Sequence, residues 1–202
     1  MNIRLIKIII SLSLLCIVAG LAYRYIEKKV TRFDLPEGEL KWSPVRPENA
    51  RMCIPAAFTD TDGNISGLYR CDGKNHRNGK ALNMKVSLKG DLFYISRQWL
   101  SDNGFQQLTL VCNSKPMKFY DSRKAIRRAL CKDVGGAFIL QSNYPMTLSE
   151  FALECGKYST NATYLDMGEY GYGYIKKSRL IRPLYIWGFF TRHKQTNWIY
   201  IY

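Results

Sequence analysis

The residues best suited to chemistry lie together between Asn161 and Ile175. A β-prone run, Ala162 to Leu165, delivers Asp166 at its end, and glycines follow at positions 168, 171 and 173. A strand would fix the backbone of Asp166, and the glycines would let the chain approach a ligand closely. A carboxylate held in this way can act as a general acid or base. The alternative is a tight hairpin in which Asp166 caps a turn and the neighbouring tyrosines pack.

Around this segment the sequence predicts many short strands and one clear helix. Strand-like runs bounded by turn residues cover positions 52–58, 65–69, 85–87, 92–96, 107–113, 126–131 and 137–141. The helix is predicted over 147–158, where Thr147 and Glu150 form a capping-box pattern and apolar residues recur on one face. The pattern favours an α+β fold with a mixed, mostly antiparallel β-sheet and few helices.

An apolar stretch at residues 8–23 precedes the strand-rich part. Arg4 and Lys7 stand before it, as in a signal peptide or an N-terminal membrane anchor. It is about sixteen residues long and a comfortable bilayer span takes about twenty, so cleavage and anchoring both stay open. We expect one signal or transmembrane helix within 1–24, a proline-containing linker over 25–50 and one domain over 51–202. The expected location is the cell envelope, with the chain anchored in the inner membrane through 8–23 and the domain in the periplasm.

The net charge is +14, of which residues 1–32 contribute +5 and the remainder +9. This excess predicts either attraction to an anionic partner, such as anionic lipid or phosphorylated glycan, or a solvated basic surface. Nucleic-acid binding is not expected, because the sequence contains no recognised nucleic-acid motif and begins with an export pattern.

The cysteines and acidic residues form no strong metal pattern. Five cysteines lie outside the apolar stretch, and an odd number cannot pair completely within one chain. Asp60, Asp62 and Asn64 alternate as in a calcium loop, but Cys71 stands where such a loop requires glutamate. We therefore predict no metal site and no cofactor.

The order of several short motifs resembles the phosphodiester glycosidase family over residues 51–175. The matching segments are, in chain order, Pro55-Ala56-Ala57-Phe58-Thr59-Asp60, Gly67-Leu68-Tyr69, Asp72-Gly73-Lys74, Asn83 with Gly90-Asp91-Leu92-Phe93-Tyr94-Ile95, Asn113-Ser114-Lys115-Pro116-Met117 and Leu165-Asp166-Met167-Gly168. The resemblance implies an exported hydrolase acting on a sugar-phosphate diester or an envelope glycan.

The resemblance also implies roles for particular residues. Asp166 would be the acid or base, and Glu169 could be the second carboxylate that glycoside hydrolysis usually needs. Ser114 would donate a hydrogen bond, and Arg127 or Arg128 would hold the anionic group of the ligand. The remaining predicted substrate-binding residues are Lys115, Phe58, Asp60, Tyr170 and Tyr172.

Departures inside the motifs keep a second hypothesis open. Where family members have asparagine, glycine and glycine, this chain has Pro55, Lys115 and Met167, and paired serines are replaced from Glu169 onwards. The domain could therefore have kept the fold and lost the reaction, binding glycan or an envelope partner through the tyrosines between 170 and 174. Tyrosine rings can stack on sugar faces, and they can equally pack on a core. The sequence does not fix the oligomeric state.

Overall fold

The computed structural model describes residues 10–18, 20, 28–60, 62–82, 84–167, 173–175 and 197–202. These residues contain two helices and fifteen short strands, and every strand pairing among them is antiparallel. The α+β class and the predominance of antiparallel pairing are confirmed. Helix α1 is described over residues 10–18 and at residue 20, and α2 is Leu148–Gly156. No helix within these ranges is both long and apolar enough to span a bilayer.

The largest sheet has six strands in the order β1-β12-β11-β13-β9-β10. Its strands are β1 Val30–Asp34, β9 Thr109–Cys112, β10 Lys115–Pro116, β11 Arg128–Asp133, β12 Gly136–Ser142 and β13 Asn161–Leu165. The predicted β11–β12 hairpin and the predicted strand before Asp166 are confirmed. Because β13 lies between β11 and β9, the aspartate emerges from the middle of this sheet rather than from an edge.

Two smaller sheets complete the domain, with orders β14-β3-β15-β2 and β5-β4-β8-β6-β7. The four-stranded sheet consists of β2 Lys41–Ser43, β3 Met52–Pro55, β14 Tyr174–Ile175 and β15 Trp198–Ile201. The five-stranded sheet consists of β4 Gly67–Cys71, β5 Lys74–Asn78, β6 Lys85–Lys89, β7 Leu92–Ser96 and β8 Gly104–Gln106. The predicted turn between β6 and β7 is confirmed.

The six-stranded sheet separates two apolar clusters because side chains alternate between its faces. Leu130, Ile139 and Leu165 point to a cluster shared with both smaller sheets. Ala129 and Phe138, one position away on β11 and β12, belong to a second cluster. Helix α2 covers this second face with Phe151, Ala152 and Cys155. Its predicted capping box is present: Thr147 accepts from the Glu150 N–H, and Glu150 accepts from the Thr147 N–H.

The stretch 25–50, expected to be a linker, contains two strands. β1 pairs with β12 along its whole length, and β2 pairs with β15. The prolines that suggested a linker, Pro36, Pro44 and Pro47, lie outside the two strands, where a missing N–H does not interrupt a ladder. β1 and β2 therefore belong to the sheets of the domain, which was expected to begin near Arg51.

Candidate functional site

Asp166 follows the last residue of β13 and joins two sheets. Its backbone N–H donates to the carbonyl oxygen of Ala56 at 2.9 Å. Its Oδ2 accepts a hydrogen bond from the backbone N–H of Thr59, with 3.2 Å between N and Oδ2. Ala56 and Thr59 belong to the segment that leaves β3, so the aspartate bridges the six- and four-stranded sheets. These hydrogen bonds fix the backbone of Asp166. Because the residue is only half-buried, solvent still reaches its side chain.

Arg127 and Arg128 point to opposite faces of the six-stranded sheet. Arg128 lies opposite Leu165 on β13 and Gln141 on β12. Arg127 precedes β11, and its guanidinium carbon lies 5.8 Å from the centroid of the Tyr164 ring. Negative charge on Asp166 acts on Arg128, whose pKa it raises. The structure thus separates the two arginines that the sequence could not tell apart.

Arg128 is completely buried under the four-stranded sheet. Its Nε and Nη2 both donate to Oε1 of Gln141, at 3.2 and 2.9 Å. Desolvation lowers the pKa of the guanidinium, whereas negative charge on Tyr164 and Asp166 raises it. An arginine side chain remains cationic at neutral pH. A Cβ added at Gly173 would lie only 3.1 Å from its Nη1, so glycine permits the close approach of β14.

Arg127 is engaged by backbone carbonyls. Its Nε donates to the oxygen of Met146 at 3.1 Å, and its Nη2 donates to the oxygen of Arg123 at 2.6 Å. Asp121 lies 3.6 Å from the same Nη2. Burial raises the pKa of the Tyr164 hydroxyl, and a hydrogen bond donated by Arg127 opposes that shift. These contacts tie the loop before β11 to the turn before α2.

Two buried amides that the sequence analysis did not single out hold the segment beside Asp166. Asn197 accepts from the Ala57 N–H at 2.6 Å and donates to the Ala57 oxygen at 3.0 Å. Gln107 donates to the oxygen of Ala56 at 3.4 Å. An isolated Asn or Gln at a strand end has no distinctive spacing, so only the fold reveals these contacts.

Ser114 and Lys115 lie at the opposite end of β13 from Asp166. Ser114 is in the left-handed region, with φ +62°, in the turn between β9 and β10. Its N–H donates to the oxygen of Thr160, one residue before β13 begins. Asp166 lies six residues after Thr160 along the extended chain, so the two residues are about 20 Å apart at the usual strand rise. The structure therefore does not bring Ser114 or Lys115 to Asp166.

Phe58 and Asp60 flank Thr59 and have different surroundings. The Phe58 ring lies 5.5 Å from the Tyr164 ring, centroid to centroid. Oδ1 of Asp60 accepts from the N–H groups of Asp62 and Asn64, at 3.0 and 2.8 Å. The hydrogen bond from the Asn64 backbone is the main cause that lowers the pKa of the Asp60 carboxyl. Asp60 thus organises the turn before β4, next to the residue that contacts Asp166.

The other predicted site residues, Glu169, Tyr170 and Tyr172, lie outside the described residues. Within the described ranges, no cluster of three or more His, Cys, Asp or Glu side chains could hold a metal ion. The six cysteines of the chain are free, and Cys53, Cys131 and Cys155 are buried.

The arrangement combines a half-exposed carboxylate with a fixed positive charge behind it. Arg128 favours the ionised form of a neighbouring acid and a negatively charged group nearby. The Thr59 N–H orients the carboxylate oxygen that it contacts. Such a carboxylate can take a proton from a bound ligand as a general base, or give a proton to its leaving group as a general acid.

Comparisons with known proteins support the fold. No family model matches the sequence, and no curated protein matches it. Among solved structures, the chain is similar to the catalytic domain of zebrafish N-acetylglucosamine-1-phosphodiester alpha-N-acetylglucosaminidase, auto-inhibited by its pro-peptide. The TM-score is 0.57 at 13% sequence identity, covering 85% of this chain and 81% of that one. The two chains therefore share a fold.

Proposed function

We propose that this protein is a hydrolase related to the phosphodiester glycosidases, acting on a sugar-phosphate diester or an envelope glycan. The observation that carries the proposal is the placement of Asp166, which is half-exposed, oriented by the Thr59 N–H and close to the charge of Arg128. Asp166 is the proposed general acid or base. The shared fold with a phosphodiester glycosidase catalytic domain agrees with this chemistry.

Arg128 supplies charge rather than direct contact in this proposal. Because its side chain is fully buried and held by Gln141, its field makes the site favourable for the anionic group of a ligand. Glu169 remains the proposed second carboxylate, and Tyr170 and Tyr172 remain proposed sugar-binding residues.

One observation favours a binding domain without turnover as the second candidate. The hydrogen-bonding Ser114 and the basic Lys115 lie at the far end of β13, so the polar groups expected to surround a diester are divided between two places. A site that has lost part of its polar shell can still bind a glycan through aromatic and apolar contacts.

We also propose that the chain is exported and tethered to the inner membrane, with the domain in the periplasm. All described residues of α1 are exposed, including Ile10, Leu14, Leu15 and Ile17. A helix that is apolar on all sides and exposed needs an apolar environment to cover it. A lipid bilayer supplies that environment for the stretch 8–23.

The test uses the full chain in mild detergent with a panel of sugar-1-phosphodiesters and chromogenic glycosides. Wild type should turn over at least one substrate, and Asp166→Asn should reduce kcat by about 10²-fold or more, the usual contribution of a general acid or base. Asp91→Asn, at an exposed turn, is the matched control and should keep full activity. The melting temperatures of all three proteins should agree.

The outcomes separate the two candidates. A folded wild type that binds glycans without turnover supports the binding domain and contradicts the hydrolase. Activity retained in Asp166→Asn overturns the proposed role of Asp166. A folded protein that neither binds nor hydrolyses any member of the panel contradicts both candidates.

A further inference from the structure

We propose that the outer side of α2, together with the chain segments on its two flanks, docks on the surface of an anionic lipid bilayer. This α2 face consists of Lys29, Lys118, Lys124, Leu153, Lys157 and Tyr158. The inference rests on the membrane tether included in the proposed function, and it adds the orientation of the domain and the lipid chemistry that it contacts.

An exposed apolar residue stands at the middle of the face. α2 buries Phe151 and Cys155 against the sheet, and this leaves Leu153 pointing outward with 59% of its surface exposed. Tyr158, just beyond the helix, is 48% exposed. One exposed leucine carries little information, but leucine and tyrosine together with a ring of lysines are typical of interfacial membrane contacts.

The N-terminal segment enters the domain on one flank of α2. Asn143 binds the carbonyl oxygens of Lys28 and Lys29, at 2.5 and 3.1 Å. Nζ of Lys29 lies 3.4 Å from Oε1 of Glu154 on α2. Five peptide units connect Tyr23, at the end of the apolar stretch, to Lys28, so they reach at most about 18 Å. A bilayer that holds residues 8–23 must therefore lie close to this side of α2.

The other flank of α2 is formed by the segment after β10. Oγ of Ser149 accepts from the Phe119 N–H and donates to the Phe119 oxygen, both at 2.8 Å. Pro116 packs on Gly156, where an added Cβ would come within 2.6 Å of its Cγ. These contacts hold the exposed residues Met117 and Lys118 beside the helix. Both flanks thus contribute to one continuous surface.

The acidic residues of α2 are already engaged. Lys157 Nζ contacts both carboxylate oxygens of the buried Glu154, at 2.8 and 2.9 Å, in addition to the Lys29 contact. Glu150 accepts from the Thr147 N–H, which is the main cause that lowers its pKa, and the charges of Lys124 and Lys29 act in the same direction. Exposed lysines therefore exceed the acidic groups on this face, as a surface facing anionic headgroups requires.

The experiment uses the full chain reconstituted in lipid nanodiscs. One set contains phosphatidylcholine alone and the other contains phosphatidylcholine with phosphatidylglycerol. An amine-reactive reagent that does not cross membranes labels exposed lysines, and mass spectrometry reports the labelling rate at each site. We expect Lys118, Lys124 and Lys157 to be labelled about fivefold more slowly in the anionic discs, as expected if headgroups cover them. Lys74 and Lys89, on the five-stranded sheet, should be labelled equally in both discs.

Two substitutions of exposed apolar residues provide the matched comparison. Leu153→Glu places a negative charge at the centre of the face and should restore labelling to the rate seen in zwitterionic discs. Val45→Glu, at an exposed position beside β2, should leave the protection unchanged. Both variants replace side chains outside the core, so both should fold.

The remaining outcomes distinguish the tether from the docking. Failure of the chain to enter either disc overturns the membrane tether and the docking with it. Incorporation with equal labelling in both lipids overturns the docking and leaves the tether standing. A third outcome is that Lys118, Lys124 and Lys157 are labelled more slowly than Lys74 and Lys89 to the same extent in both lipids. If this difference disappears in discs that hold a single chain, a second copy of the chain covers the face, and the assignment to lipid is overturned.

Discussion

Asn197 and Ala57 exchange two hydrogen bonds, from the Ala57 N–H to Oδ1 and from Nδ2 to the Ala57 oxygen. The Asn197 side chain thereby holds the backbone of the segment whose Thr59 N–H donates to Asp166. Asn197→Ala leaves a buried donor and a buried acceptor without a partner, which should lower the free energy of unfolding by about 2–4 kcal/mol. Chemical denaturation of the full chain in mild detergent measures this change.

A matched substitution isolates the cause. Asn75→Ala, on the exposed strand β5, removes the same side chain from a solvated position and should change stability by less than about 0.5 kcal/mol. Equal losses in the two variants would show that the Asn197 contacts contribute nothing specific.

Arg127 and Arg128 should respond differently to the same substitution. Arg127→Met removes the donor to the Met146 carbonyl and should lower the free energy of unfolding by about 2–4 kcal/mol. Arg128→Met leaves the Gln141 oxygen without its two donors and removes the cation near Asp166, so it should also lower the free energy of unfolding, by about 3–5 kcal/mol. Arg128→Met should in addition lose most activity or anionic-ligand binding, because it removes the charge near Asp166, whereas Arg127→Met should retain both. Denaturation and substrate titration on both variants test this difference, and loss of activity in Arg127→Met with retention in Arg128→Met would contradict it.

The sequence predicts the parts of the fold that depend on local patterns. The capping box at Thr147, the turn between β6 and β7 and the strand ending at Leu165 follow from residue spacing over a few positions. β1 was missed because its pairing with β12 joins residues more than a hundred positions apart. The choice between Arg127 and Arg128 and the role of Asn197 also depend on which sheet covers each face, which no local pattern encodes.

Motif order was a weaker guide to the site than to the fold. Ser114 and Asp166 follow each other in the motif series, yet they occupy opposite ends of β13 because β9 and β13 are antiparallel. Order along the chain carries no information on which end of a strand a turn occupies. The antiparallel pairing decides that point, and it removes Ser114 and Lys115 from the neighbourhood of the carboxylate.

Asp133 should contribute to stability in a pH-dependent way. The hydrogen bond from Arg32, 2.8 Å long, is the main cause that lowers the pKa of the Asp133 carboxyl. A carboxyl with a lowered pKa in the native state stabilises the fold above its unfolded pKa, near 3.9 for aspartate. This contribution is lost as the pH falls through the native-state value.

Asp133→Asn should therefore be less stable than wild type at pH 6, and the difference should shrink towards zero on acidification to pH 2. Urea unfolding at several pH values in this range measures how the stability difference between the two proteins depends on pH. Arg32→Met removes the contact with Asp133 together with the Arg32 hydrogen bond to Asp34, so in that background Asp133→Asn should change the pH dependence of stability less than it does in wild type. A constant gap between Asp133→Asn and wild type at every pH would exclude a titrating contribution.

Gln141 fixes the position of the Arg128 guanidinium, because its Oε1 accepts from both Nε and Nη2. Gln141→Glu retains the acceptor and adds a negative charge, which offsets the field of Arg128. The limb of the pH–activity profile that reports Asp166 should then move to higher pH, because a nearby negative charge disfavours an ionised carboxylate. Gln141→Leu removes the acceptor and should lower the free energy of unfolding by about 1.5–3 kcal/mol, the range for a hydrogen bond to a charged group. An unchanged profile in Gln141→Glu, with the fold intact, would show that Arg128 does not act on the reacting group.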